Sequence, residues 1–122
     1  MKVLHVQVAE PVRASLDRAR LTMEALERGE TPEPYFSVGF ESLPQLLAIF
    51  TPKRWELIAY LRENGPLSIA ELARRLGRNY KNVHGDVVAL MEWLAVERGE
   101  DGRVLVPWDA IELRLPLVRD AA

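Results

Sequence analysis

The chain has 122 residues, of which 48% are hydrophobic and 28% charged, and this composition predicts one folded domain with a modest core. It contains no cysteine, which excludes disulfide bonds and thiolate metal sites. No apolar run approaches the ~18 residues that a membrane span needs, so we expect a cytoplasmic protein with no membrane partner.

The N-terminal part of the chain predicts a strand followed by a helix. Residues 1–8 alternate apolar and polar side chains, as a half-buried strand does. Pro11 then begins a helix that Gly29 ends. Apolar residues recur on this helix at intervals of four and three, a heptad seam too short to hold a coiled coil alone. The seam consists of Val12, Leu16, Ala19, Met23 and Leu26. Two alternatives are open: the seam packs on its own domain, or it forms the interface of a homodimer.

A linker, a strand and a short helix come next. Residues 30–34 contain two prolines and predict a linker. Residues 36–40 alternate large apolar with small side chains, which indicates a second strand. Ser42 can cap a short helix that runs through Phe50.

Two further helix starts carry clear signals. Thr51 caps a helix whose first residue is Pro52, and Gly65 ends it. Ser68 caps the next helix, and Glu71 three residues later is typical of a capping box. The apolar faces of these helices contain Trp55, Leu57, Ile58 and Leu61 in the first, and Ile69, Leu72, Ala73 and Leu76 in the second.

A tight turn joins the second of these helices to a third. Gly77 favours a left-handed helix end, and Asn79 can cap the helix that follows. Two short helices joined so closely cross steeply, as in a helix-turn-helix. The third helix buries a stripe of Val83, Val87, Leu90, Met91 and Leu94. It presents outward Tyr80, Lys81, Asn82, His84, Gly85 and Asp86.

A hairpin and a last strand complete the chain. Residues 94–98 and 103–106 predict two strands around the acidic, glycine-bounded turn 99–102. Three helices followed by a hairpin predict a winged helix. The last strand candidate alternates Ile111, Leu113, Leu115 and Leu117, and Pro116 predicts that it lies at a sheet edge.

The predicted fold is therefore α+β, a winged helix-turn-helix with an N-terminal helix and a small accessory β-sheet. We expect residues 1–50 to form a dimerisation or accessory region, residues 51–107 the winged helix-turn-helix, and residues 108–122 a C-terminal strand and tail. Three amphipathic strands lie outside the winged helix and must each bury an apolar face. A small sheet within the chain, or across a dimer, is expected.

Charge is distributed unevenly along the chain. The net charge is −2, but residues 52–86 contain seven basic and four acidic residues, a local charge of +3 between flanks of −2 and −3. A basic centre on an acidic body is typical of a DNA-binding domain with a separate partner surface. The alternative is an ordinary solvated surface of mixed charge.

The basic segment resembles the MarR/ArsR-type winged-helix transcriptional regulators. The similar segments read TPKRWELI over residues 51–58 and LARRLGRNYKNVH over residues 72–84, with weaker similarity through residues 107–109. The resemblance implies a sequence-specific DNA-binding regulator that acts as a dimeric repressor, and loosely an autoregulating antitoxin with a cognate toxin as partner. Relatives often carry a basic residue where this chain has Gly85, so Gly85 either allows close approach of DNA or removes a contact.

Double-stranded DNA is thus the expected ligand of the outward-facing residues. Lys81 suits contact with guanine or phosphate, and Asn82 suits contact with adenine. Arg74 and Arg75 suit contact with phosphates. The full set of predicted DNA-binding residues is Ser68, Arg74, Arg75, Arg78, Asn79, Tyr80, Lys81, Asn82, His84, Arg98 and Arg103.

Nothing in the sequence indicates an enzyme, a metal site or a cofactor. The chain has two histidines, His5 and His84, with no nucleophile and acid spaced to form a triad, and it has no nucleotide-binding or zinc motif. His84 either contacts DNA or is simply an exposed polar residue. Tyr80 either contacts a phosphate or fills a gap between helices.

A second class of function is a protein-interaction module that reuses the winged helix. Glu100 and Asp101 at the tip of the hairpin repel a DNA backbone unless Arg98 and Arg103 outweigh them. The acidic hairpin and Gly85 support this alternative.

Overall fold

The computed structural model describes residues 1–10 and 12–118, without the side chain of Val12. This part of the chain contains five helices and five strands, which confirms the α+β class. In chain order they are β1 (Val3–Val8), α1 (Val12–Glu27), β2 (Phe36–Phe40), α2 (Leu43–Ile49), α3 (Pro52–Asn64), α4 (Ile69–Leu76), α5 (Tyr80–Glu92), β3 (Glu97–Arg98), β4 (Val104–Leu105) and β5 (Ala110–Arg114). Pro11, predicted to begin the first helix, and residues 119–122 of the predicted tail lie outside the described residues. Among the helices described, none is both long and apolar enough to cross a membrane.

The three predicted amphipathic strands form one parallel sheet within the chain. β1 lies in the middle of the order β2-β1-β5, and Val6 pairs with Val38 on one side and with Leu113 on the other. Leu4 and Val6 are fully buried on one face of this sheet and belong to the same core cluster as the buried residues of α3, α4 and α5. The sheet is therefore fixed to the helices by a shared core.

The last strand is shorter than predicted. β5 lies at a sheet edge, as expected, but it ends at Arg114, so Leu115 and Leu117 follow the strand. Leu113 in β5 and Leu115 and Leu117 after it are 51%, 42% and 90% exposed, so the prediction that this strand buries an apolar face is wrong beyond Ile111, which is half-buried.

An aromatic cluster joins β2 to the helices. The ring of Phe40 lies 6.0 Å from that of Phe50 and stacks at 4.1 Å on Trp93, while Phe50 stacks at 4.9 Å on Trp55. Phe50 is 1% exposed, so the residue between α2 and α3 is a centre of the core.

The described side chains of the heptad seam, Leu16, Ala19, Met23 and Leu26, face solvent. Leu16, Met23 and Leu26 are 64%, 62% and 58% exposed, whereas Ala25 on the opposite face is buried. The alternative in which the seam packs on its own domain is therefore wrong. The homodimer stays a prediction, and the side chain of Val12 lies outside what the structure describes.

The predicted hairpin is confirmed, but its strands are shorter than the predicted 94–98 and 103–106. β3 and β4 pair antiparallel, and the backbone N–H of Gly99 donates to the Arg103 carbonyl at 2.8 Å. Leu94, predicted to continue the buried stripe of α5 into the hairpin, has a φ of 67° and is 45% exposed, because α5 ends before it. A third extended segment adds to the hairpin, since Leu67 forms an antiparallel bridge with Val104.

Candidate nucleic-acid interface

The turn between α4 and α5 is fixed by local signals that the sequence contains. Gly77 adopts a left-handed conformation with φ 66°, and the backbone N–H of Arg78 donates to the Ala73 carbonyl at 3.0 Å. Asn79 caps α5, since its side-chain oxygen accepts from the backbone N–H groups of Lys81 and Asn82 at 2.8 and 3.3 Å. The predicted turn is confirmed.

The start of α4 forms only half of the predicted capping box. The Ser68 hydroxyl accepts from the backbone N–H of Glu71 at 3.1 Å. The Glu71 carboxylate does not return to Ser68; it accepts hydrogen bonds from Arg74 and Arg75. Two of the predicted DNA-binding residues, Ser68 and Asn79, thus use a side-chain oxygen to cap a helix.

The first two turns of α5 face solvent, as predicted for most of their residues. Lys81, Asn82 and His84 are exposed, and Tyr80 is 53% exposed. The ring centroids of Tyr80 and His84 are 5.9 Å apart. The prediction that Tyr80 fills a gap between helices is therefore wrong, while both alternatives for His84 stay open.

Asp86 is the exception on this face. It was predicted to point outward, but Oδ1 accepts from Arg54 Nε at 3.0 Å and Oδ2 from Arg78 Nη2 at 2.7 Å. The three side chains are only 16–20% exposed. Arg54 also donates to the Ile49 carbonyl at 2.8 Å, so this network joins the end of α2, the start of α3 and α5. Arg78, a predicted DNA contact, is held in it.

An open depression lies between the first turns of α3 and α5. We call it the cationic depression, and its charged and amide walls are Lys53, Arg54, Arg78, Asn79, Lys81, Asn82 and Asp86. Four cationic side chains face one carboxylate, which gives a net charge of +3. Such a concentration of positive charge attracts polyanions.

Arg74 and Arg75 share one carboxylate on the surface of α4. The hydrogen bonds from Arg74 and Arg75 lower the pKa of Glu71 to about 2. Glu71 is therefore ionised at neutral pH, and the three side chains together carry one positive charge. Phosphate contacts from Arg74 and Arg75 stay a prediction.

The arginines of the hairpin are bonded within the hairpin. Arg98 Nη1 donates to the Gly102 carbonyl at 3.1 Å, and Arg103 Nε donates to Asp101 at 2.6 Å. The Arg103 side chain lowers the pKa of Asp101, which keeps that carboxylate ionised. The hairpin therefore does not present a surplus of positive charge, and its predicted DNA contacts stay untested.

Sequence reasoning missed two residues of this site. Lys53 and Arg54 belong to the basic segment 52–86, but they are not among the predicted DNA-binding residues. The available signal was their position in the first turn of a helix, where the helix dipole disfavours cations. Basic residues at such a place suggest a role other than helix stability.

In residues 1–10 and 12–118 no group of three or more His, Cys, Asp or Glu side chains is placed to hold a metal ion.

Gly85 lines the same depression and provides a prediction about stability. A Cβ added at Gly85 meets no atom within 4 Å, and glycine costs a helix interior about 1 kcal/mol relative to alanine. Gly85→Ala is therefore expected to raise the free energy of unfolding by up to about 1 kcal/mol in urea titrations. Gly77→Ala is the matched control: its Cβ also meets open space, but its φ of 66° should make that alanine destabilising. Equal effects of the two substitutions would contradict this explanation.

Comparison with known proteins places the chain in a family. No curated protein matches the sequence. Residues 49–113, just over half of the chain, match the model of the HVO_A0114 family, and this segment includes α3, α4, α5, the hairpin and most of β5. The chain is a member of the HVO_A0114 family.

Proposed function

We propose that the protein is a sequence-specific DNA-binding transcriptional regulator. In this proposal residues 51–107 are a winged helix-turn-helix related to the MarR/ArsR type, and α5 enters the major groove. The observation that carries the proposal is the exposed first turn of α5 beside the cationic depression.

The two kinds of DNA contact fall to different residues. The exposed Asn82 and Lys81 lie at the start of α5, where side chains of a recognition helix reach base edges. The cations around them face the phosphate backbone, which provides affinity and orientation but no sequence information. Hydrogen bonds accepted by the Asn79 side chain fix the first turn of α5, so the backbone that carries Lys81 and Asn82 is held in place.

The regulator is proposed to act as a homodimeric repressor. Leu16, Met23 and Leu26 form an exposed apolar stripe on α1. A two-fold axis at this stripe would let two α5 helices read half-sites about 34 Å apart. A toxin partner stays a prediction of the resemblance.

Binding of the full chain to a library of random duplexes tests the proposal. We expect selection of a preferred sequence, and Lys81→Ala with Asn82→Ala should weaken its binding by about 1–3 kcal/mol per lost base contact, measured by fluorescence anisotropy. Asn82→Ala alone should reduce the sequence preference at one base position of the selected site.

A matched control removes one cationic and one amide side chain elsewhere. Arg28→Ala with Asn64→Ala takes away one exposed cation and one exposed amide outside the proposed interface and should leave the affinity unchanged. Absence of duplex binding by the wild-type chain at low salt contradicts the DNA-binding proposal.

The protein-interaction alternative has one specific observation in its favour. The hairpin carries Glu97, Glu100 and Asp101 against Arg98 and Arg103, and the two arginines are bonded within it. This acidic surface suits a basic protein partner better than DNA. A wild-type chain that fails to bind duplex DNA favours this reading.

A further inference from the structure

The cationic depression contains two lysines that take part in no ion pair among the described residues. Lys53 on α3 and Lys81 on α5 are exposed and line the depression from opposite sides. Arg54 and Arg78 are instead held by Asp86. Among the described residues, the depression therefore combines two cations outside any ion pair with two that are paired to Asp86.

These cations occupy positions that disfavour them in the isolated chain. Lys53 and Arg54 lie in the first turn of α3, Lys81 lies in the first turn of α5, and neither turn contains an acidic residue. The positive end of a helix dipole repels cations at this place. An anion between the two helices would offset that repulsion.

Three backbone amides at the two helix starts are already bonded to cap side chains, which leaves exposed side chains as the main donors to such an anion. The Thr51 hydroxyl already accepts from the Arg54 N–H, and the Asn79 side chain accepts from the N–H groups of Lys81 and Asn82. Arg78 adds positive charge to the lining, but its Nη2 is bonded to Asp86 and its Nη1 is buried without a hydrogen-bond partner in the described part of the chain, so an anion in the open depression does not reach Nη1. Lys53 and Lys81 are therefore the exposed side-chain donors.

We propose that the cationic depression is a preformed seat for one phosphodiester group of duplex DNA, with Lys53 and Lys81 as its donors and the charges of Arg54 and Arg78 beside them. This inference rests on the proposed DNA-binding function and names the backbone contact that positions α5. A phosphate at this place is reached from α3 and α5 together, so it fixes the angle at which α5 meets the groove.

Asp86 acts in this seat as a positioning residue. It repels a phosphate by its charge, but it also orients Arg54 and Arg78 through both carboxylate oxygens. If charge alone governed binding, Asp86→Asn would raise affinity because it makes the depression more positive. If positioning governs, Asp86→Asn lowers affinity despite the added charge. The two explanations therefore predict opposite changes in DNA affinity for Asp86→Asn.

The test is duplex binding by the full chain over a salt series, with Lys53→Gln and Asp86→Asn compared with the wild type. Lys53→Gln should reduce the slope of log affinity against log salt by about one, as expected for one lost phosphate contact. Asp86→Asn should weaken binding. Arg28→Gln removes one exposed cation outside the depression and should leave the slope unchanged.

The outcomes separate this inference from the proposed function. Duplex binding with a wild-type slope in Lys53→Gln overturns the seat while leaving the proposed function intact. Absence of duplex binding by the wild type overturns both. A second experiment asks whether the depression binds free phosphate instead of a DNA phosphate. It compares the thermal unfolding of the protein in inorganic phosphate and in chloride at equal ionic strength. Stabilisation that Lys53→Gln abolishes without changing duplex binding assigns the depression to free phosphate and overturns the backbone seat. Should Asp86→Asn fail to fold, Lys53→Gln decides the result.

Discussion

Phe50→Ala is expected to lower the free energy of unfolding by about 3–5 kcal/mol, because it leaves a large cavity at the centre of the core. Phe50 is 1% exposed and contacts aromatic rings on both sides, Phe40 of β2 and Trp55 of α3. The loss should be measured by urea unfolding, followed by tryptophan fluorescence and by far-ultraviolet circular dichroism.

The same experiment examines whether residues 1–50 unfold separately from the rest of the chain. Because Phe50 connects the two parts, we expect the two signals to report a single transition in the wild type. Leu47→Ala on α2 is the control: Leu47 is 55% exposed, so its truncation should change stability by about 0.5 kcal/mol at most. A loss below about 1 kcal/mol in Phe50→Ala, or two separate wild-type transitions, contradicts the shared core.

Leu16→Glu with Met23→Glu is expected to convert the proposed dimer to a monomer. Leu16 and Met23 both lie on the exposed stripe of α1, so charges there should prevent apolar association without disturbing the core. Sedimentation equilibrium measures the association, and operator affinity should fall by about a hundredfold because two linked half-site contacts become independent.

A control on the same helix separates this effect from damage to α1. Arg13→Glu with Arg20→Glu also introduces two acidic side chains on α1 but leaves the apolar stripe intact, and it should weaken association much less. A wild-type chain that sediments as a monomer at high micromolar concentration removes the dimer from the proposal.

Local signals in the sequence predicted the helices well. The caps Ser42, Thr51, Ser68 and Asn79 each accept the expected backbone N–H, because a cap depends on residues two or three positions away. Gly77 likewise needs only its own φ to end α4. The hairpin turn belongs to the same group of short-range features.

The features that sequence reasoning missed depend on residues far apart in the chain. Asp86 was expected to face outward, but its position is set by Arg54, 32 residues earlier. The bridge between Leu67 and Val104, and the parallel pairing of β1 with β5, have no local signal either. Periodicity shows that a strand buries one face, but it does not identify the strand's neighbours.

Packing between residues far apart in the chain also explains why the site was only partly predicted. The exposed first turn of α5 follows from the spacing within one helix, so Tyr80, Lys81 and Asn82 were identified. Lys53 reaches the depression only because α3 packs beside α5, which the helix pattern alone does not specify.

The position of β1 also has a consequence for biosynthesis. β1 is the first element of the described chain to leave the ribosome, yet one of its two neighbours, β5, is the last. Helices form from nearby residues and fold early, whereas a parallel pairing across about a hundred residues forms late. During synthesis one edge of β1 therefore stays unpaired, and we expect the β1–β5 pairing to form only after Arg114 has left the ribosome.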